Sequence, residues 1–179
     1  MKLIHKLMNP TDMVLITKVV LKNDHQAFKQ LIEKYQSDLR GLFLRLTNSN
    51  RDLANDLAQE TFIRIYKYLS NYNATAQFKT WLYRIAYNVF YEHCKKRKID
   101  HYEPLNENLN AAETEITIDY QNALKVLNEN EKAAIVLSYE KGFSHNDISE
   151  ILNQPLGTIK TNILRGKEKL KKFYSYEKG

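Results

Sequence analysis

Asp52, Asp56 and Glu60 stand four residues apart in the segment DLANDLAQETFIRIYKYL, with Gln59 and Ile63 among them. On a helix this spacing sets the three carboxylates on one face. Hard oxygen ligands of this kind can hold Mg²⁺ for a nuclease-type hydrolysis. They can equally form a solvated face, or ring the apolar Ile63 and steer a basic partner helix onto it. Three acids in a row on an exposed helix point outward rather than converging on one ion, which counts against the metal. His5, His25, His93, His101 and His145 show no ligand spacing, and the lone Cys94 supports neither a disulfide framework nor a Cys-rich zinc site. No catalytic residue, metal or cofactor is expected.

A second candidate lies in FKTWLYRIAYNVFYEHCKKRK, residues 78 to 98. Phe78, Trp81, Leu82, Ile85, Ala86 and Val89 form one apolar helical side, and Tyr83, Arg84, Tyr87, Asn88, Tyr91 and Lys95 the other. Aromatics interleaved with cations and amides suit unpaired nucleic acid, because every base has a face to stack and the cations hold phosphates. Tyrosines packed on a neighbouring helix, hydroxyls at the rim, would give the same pattern.

The third is SHNDISEILNQPLGTIKTNILRGKEKLKK. Ser144 can cap a helix with Asp147 three residues on, Asn153 tolerates a left-handed turn, and Pro155 precedes the stripe Leu156, Ile159, Ile163 and Leu170. Small Ser149 falls where two helices must approach. The pattern is a helix-turn-helix whose second helix turns Thr158, Thr161, Asn162, Leu164, Arg165 and Lys169 outward. In a major groove Arg grips guanine, Asn adenine, and an apolar tip the thymine methyl. An ordinary helical hairpin with a basic end is the alternative.

The elements that must position these residues are all helical. The 179 residues carry a net charge of +6, and 43% are hydrophobic, enough for one medium domain or two small ones. Apolar residues recur at three and four from Thr11 to Leu21, after Asp24 to Thr47, from NSNRD to Leu69, from Phe78 to Lys98, near 120–128 and 130–141, and in the helix-turn-helix. No strand or internal repeat is indicated. Residues 79–98 and 160–179 are basic. Between them residues 99–121 carry Asp100, Glu103, Glu107, Glu113, Glu115 and Asp119 with no Lys or Arg, and read as a flexible acidic linker. The N-terminal apolar groups are broken by Asn9, Pro10, Asp12 and Lys18, which argues against a signal peptide or membrane insertion and for the cytoplasm.

DLANDLAQETFIRIYKYL with FKTWLYRIAYN, then LNENEKAAIVLSYEKGFSHNDISEIL with GTIKTNILRGKEKLK, resembles the bacterial RNA polymerase sigma factors of the extracytoplasmic-function (ECF) group of the sigma-70 family. The resemblance runs from about Thr11 to Phe173. It implies an all-α chain: a sigma region 2 bundle in residues 1–98, a linker in 99–120, and a sigma region 4 helix-turn-helix in 121–179. It implies that Asp56, Gln59, Glu60 and Ile63 dock on core polymerase at the β′ clamp coiled coil, with the β flap a further contact. Tyr72 and Asn73 in the loop SNYNATAQ, with Tyr83, Arg84, Tyr87 and Asn88, would meet the melted −10 element. Thr158, Lys160, Thr161, Asn162, Leu164 and Arg165 would read the −35 element. An anti-sigma factor is an expected partner beside polymerase and promoter DNA. The resemblance implies no enzyme, since polymerase does the chemistry; a stand-alone DNA-binding regulator is the rival, and it leaves the acidic face and tyrosine helix unexplained. Three positions depart from the family pattern. Asn162 stands where Arg is usual, Gln154 where an apolar residue seals the turn, and Gly166 where Ala is common, which should weaken its helix by about 1 kcal/mol.

Overall fold

A computed structural model describes residues 10–99 and 115–176, and all regular structure among them is helical. Helix α1 is Pro10–Lys22, α2 His25–Leu46, α3 Arg51–Tyr68 and α4 Phe78–Ile99. Helix α5 is Glu115–Lys125, α6 Glu129–Ile135 followed by one wide turn, Val136–Glu140, α7 His145–Leu152 and α8 Leu156–Tyr176. Helix α5 begins earlier than the expected start near 120; the expected linker's residues 100–114 lie outside the described residues.

The starts follow local chemistry. Asp24 Oδ1 accepts from the amides of Gln26 and Ala27 at 2.9 and 3.0 Å, and Asn50 Oδ1 from the amide of Leu53 at 3.0 Å. Each satisfies donors that a first turn leaves unpaired. Asn128 with Glu131, and Ser144 with Asp147, close reciprocal capping boxes. Helix α7 stops at Asn153, in the left-handed conformation at φ 49° and ψ 48°, as its residue type allows.

Two compact units result: Met1–Gly41 with Asn55–His101, and Leu42–Ala54 with Tyr102–Gly179. The first buries Leu15, Ile16 and Val19 of α1, Leu31, Tyr35 and Leu39 of α2, Leu57 and Ile65 of α3, and Phe78, Leu82, Tyr83, Ala86, Tyr87 and Phe90 of α4. Asp12, only 3% exposed, enters this core because Lys34 Nζ and the Tyr35 hydroxyl, the latter at 2.6 Å, both donate to its carboxylate. Burial and this hydrogen bond push the Tyr35 phenol far up from its ordinary value.

The second unit buries Phe43 and Leu46, Leu124 and Leu127, Ala133 to Leu137, Ile148, Ile151 and Leu152, and Ile159 and Ile163. Within it Arg45 lies over the Tyr120 ring, 5.2 Å from its centroid, and Glu140 accepts from both Arg45 Nε at 3.3 Å and the Tyr120 hydroxyl at 2.6 Å. Glu131 is 2% exposed and takes Lys169 Nζ at 2.7 Å. Burial lifts its pKa, but the Lys169 hydrogen bond, the Asn128 amide and the charges of Lys169 and Arg165 outweigh this and hold it below the ordinary carboxylate value. Helices α6 and α8 meet at Gly166, where an added Cβ would stand 2.7 Å from Ile135 Cγ1 and 3.1 Å from its Cδ1. The glycine expected to weaken α8 is the residue that permits this approach.

Candidate functional site

Three surfaces carry the sequence-predicted residues. On α3, Asp52, Asp56 and Gln59 are exposed and Ile63 is 55% exposed, an unusual share for an isoleucine. Glu60 is half-buried and already engaged: Arg64 Nε donates to it at 2.7 Å while Arg64 Nη1 lies 2.8 Å from Glu92 on α4. The Glu60 hydrogen bond, then Glu92, push the guanidinium pKa higher still. Beside Ile63, an open and almost wholly apolar groove of about 600 Å³ runs between α2 and α3, lined by Phe28, Ile32, Gln59, Phe62 and Tyr66 among others. Phe28 and Ile32 read as core at the sequence level because they share the stripe of Leu31 and Tyr35. They are half-buried here, and nothing in the helical period separates groove-lining from buried positions. Among the described residues no three His, Cys, Asp or Glu are grouped to hold a metal ion.

The second surface differs from expectation. Tyr83 is fully buried and Tyr87 is 6% exposed, so neither ring presents a face for a base. Helix α4 buries a wider arc than one stripe, with Tyr83, Tyr87 and Phe90 adding to Phe78, Leu82, Ala86 and Val89. A tyrosine ring supplies core volume as phenylalanine does, and periodicity alone does not distinguish the uses. Arg84, Asn88, Tyr91 and Lys95 remain exposed at spacings of four, three and four, and Tyr91, at 56%, stacks on Tyr87 with ring centroids 6.4 Å apart.

The loop before α4 is ordered by its own residues. Tyr72 is half-buried, donates its hydroxyl to the Ala76 carbonyl at 2.8 Å, and lies 5.4 Å from both Phe78 and Trp81 by ring centroids. Burial, with the Asp12 charge adding, raises its phenol pKa. Asn73 is exposed, and its side chain accepts from the Thr75 hydroxyl at 2.8 Å.

The third surface is the outer side of α8. Thr158, Lys160, Thr161, Leu164 and Arg165 are exposed, Leu164 at 58%, while Ile159 and Ile163 bury the opposite side. Asn162 is half-buried, its amide nitrogen donating to Gln154 Oε1 at 3.3 Å. Ser149 Oγ donates to the Gln154 carbonyl at 2.6 Å, so the small residue of α7 tethers the turn.

Residues 31–99 match the family model of sigma-70 region 2, and residues 118–170 that of sigma-70 region 4. The ECF RNA polymerase sigma factor SigW of Bacillus subtilis is 32% identical over 174 residues, which cover 87% of this chain and 92% of that protein. This chain belongs to the ECF sigma factors of the sigma-70 family. The ECF RNA polymerase sigma-E factor of Haemophilus influenzae is also 32% identical, over 88% of this chain and 92% of its own length. Among solved structures, the sigma factor RpoE of Bartonella quintana, in complex with the anti-sigma factor NepR, matches with a TM-score of 0.72 at 26% identity, over 83% of this chain and 96% of that one. CnrH, in complex with the cytosolic domain of CnrY, has the same fold at a TM-score of 0.72 and 20% identity, over 93% and 98% of the two chains. An ECF sigma factor serves promoter-specific transcription initiation by RNA polymerase; it is a regulatory factor and not itself the catalyst. Among the described residues no helix is long and apolar enough to cross a membrane.

Proposed function

We propose that this sigma factor docks on core polymerase through α3, captures melted −10 DNA with the loop before α4 and the outer face of that helix, and reads −35 duplex DNA with α8. The observation that carries the docking is Ile63, more than half exposed beside an apolar groove and flanked by Asp56 and Gln59. Burying one leucine-sized side chain of the β′ clamp coiled coil in that groove is worth about 1.5–3 kcal/mol. Asp56 would steer basic residues of the same partner. Glu60, tied to Arg64, orients this face across α3 and α4 and makes a weaker direct contact.

For the −10 element the contacts are Asn73 of the loop and Arg84, Asn88 and Tyr91 of α4, with Tyr72 as the partly exposed edge of an aromatic cluster. Tyr83 and Tyr87 hold the helix instead. Unstacking costs a few kcal/mol per base, so a surface that stabilises flipped bases selects sequence and opens the duplex together. Helix α8 supplies Thr158, Thr161, Leu164 and Arg165 to base edges and Lys160 to phosphate, each good base contact discriminating by about 1–3 kcal/mol. Residues 1–98 serve as the docking and melting domain; the stretch expected as linker, 99–120, shortens to the residues before α5, and that helix with residues 121–179 serves as the −35 domain, which also meets the β flap.

The site of action is the cytoplasm. An anti-sigma factor covering these surfaces fits the company that the RpoE structure keeps. The test is in vitro transcription: core polymerase with this chain, on genomic DNA fragments, should start at a discrete set of sites sharing two spaced elements. Starts indistinguishable from those of core alone would overturn the reading.

A further inference from the structure

Gln154 and Asn162, the two polar residues that depart from the sequence pattern of the helix-turn-helix, touch. The Asn162 amide nitrogen donates to Gln154 Oε1 at 3.3 Å, and the Gln154 amide nitrogen donates to Asn130 Oδ1 at 3.0 Å. Three carboxamides from α6, the turn and α8 thus form one directed chain along the flank of the recognition helix. Asn162 ends it, four residues after Thr158 and three before Arg165, both exposed, so it sits at the margin of the DNA-facing side.

An asparagine free to flip offers either a donor or an acceptor to a base and discriminates poorly. One with an N–H committed to a neighbour has its amide plane fixed, so that Oδ1 accepts from one set direction. We infer that Asn162 is a specificity-determining residue whose fixed Oδ1 accepts from an exocyclic base amine, adenine N6 or cytosine N4, at one position of the −35 element, and that Gln154 is the positioning residue that holds it. Guanine O6 and thymine O4 place acceptors in the major groove, and the fixed Oδ1 repels them at that point. Asn130 anchors the chain from α6, away from the bases. This assignment rests on the promoter-reading function proposed above.

The full chain assembled with bacterial core polymerase is offered a promoter pool randomised upstream, and bound molecules are sequenced. Asn162→Ala should lose an amine-base preference of about tenfold at one upstream position, leaving the others unchanged. Gln154→Leu, an apolar replacement suited to the turn, should lose the same position, and the double variant should lose nothing more. Asn130→Ala, which leaves the turn intact, should weaken that position alone, and thermal melting confirms that each variant is folded. Preference at that position for guanine or thymine, or a Gln154→Leu profile equal to wild type, would overturn the assignment while leaving promoter reading standing. No upstream element selected by the wild-type holoenzyme would sink promoter reading itself, and this assignment with it.

Discussion

Gly166 of α8 faces Ile135 of α6 so closely that a β-carbon on the glycine would lie 2.7 Å from Ile135 Cγ1. Helix propensity favours alanine there by about 1 kcal/mol, whereas forcing a methyl into a packed contact costs about 1–3 kcal/mol. Overpacking wins, and Gly166→Ala should lower stability by about 1 kcal/mol in chemical denaturation. A more stable variant would show that Ile135 yields without cost.

The two sides of α4 should respond differently to substitution. Tyr83→Ala and Tyr87→Ala empty a buried volume and should each cost about 3–5 kcal/mol. Arg84→Ala and Asn88→Ala, at exposed positions, should stay within about 0.5 kcal/mol of wild type and yet slow promoter opening by roughly tenfold or more, followed by a fluorescent base in the −10 region. Equal loss of opening and of stability in the exposed pair would remove α4 from the DNA contacts.

Most of the fold was legible because the capping residues and the three-four period are local. Asp24, Ser144 and Asn153 start or stop helices where the sequence places them, and the start expected within NSNRD falls at Asn50. Burial within an amphipathic helix was less legible. Tyr83 and Tyr87 occupy positions that a single-stripe wheel assigns to solvent, and only the neighbours of α4 decide how wide an arc is covered. The α3 docking face was readable from Asp56, Gln59 and Ile63, but its groove depends on Phe28 and Ile32 of a different helix. Likewise the role of Gly166 requires knowing that α6 passes behind it, and the Asn162–Gln154 contact joins residues that sequence reading treats as separate departures.

Asp12 and Tyr35 make a buried pair whose loss has a pH signature. Asp12→Ala strands the Tyr35 hydroxyl and should cost about 1–3 kcal/mol, and Tyr35→Phe added to it should cost little more. Because the folded phenol's pKa is raised, its contribution to stability is fully present below about pH 10 and is lost above that, where only the unfolded phenol ionises. Tyr72 and Tyr120 act in the same sense. Denaturation against pH should therefore fall more steeply above about pH 10 in wild type than in Tyr35→Phe. Parallel curves would dissociate the pair from alkaline unfolding.

The Glu131–Lys169 pair acts at the other end of the scale. With the folded carboxyl below its ordinary value, its contribution is present above about pH 4.3 and is lost as pH falls through the folded value. Glu131→Gln should destabilise the second unit by about 1–2 kcal/mol at neutral pH and by less in acid. A penalty independent of pH would mean that the charge on Glu131 is immaterial.

Binding to core RNA polymerase tests the central claim most directly. Fluorescently labelled chain titrated with bacterial core enzyme should bind in the nanomolar range, and the Asp56→Ala, Ile63→Asp double variant, with its melting temperature unchanged, should bind at least a hundredfold more weakly. Intact, folded wild-type chain that fails to bind core, or a variant that binds as tightly as wild type, would contradict docking through the exposed face of α3.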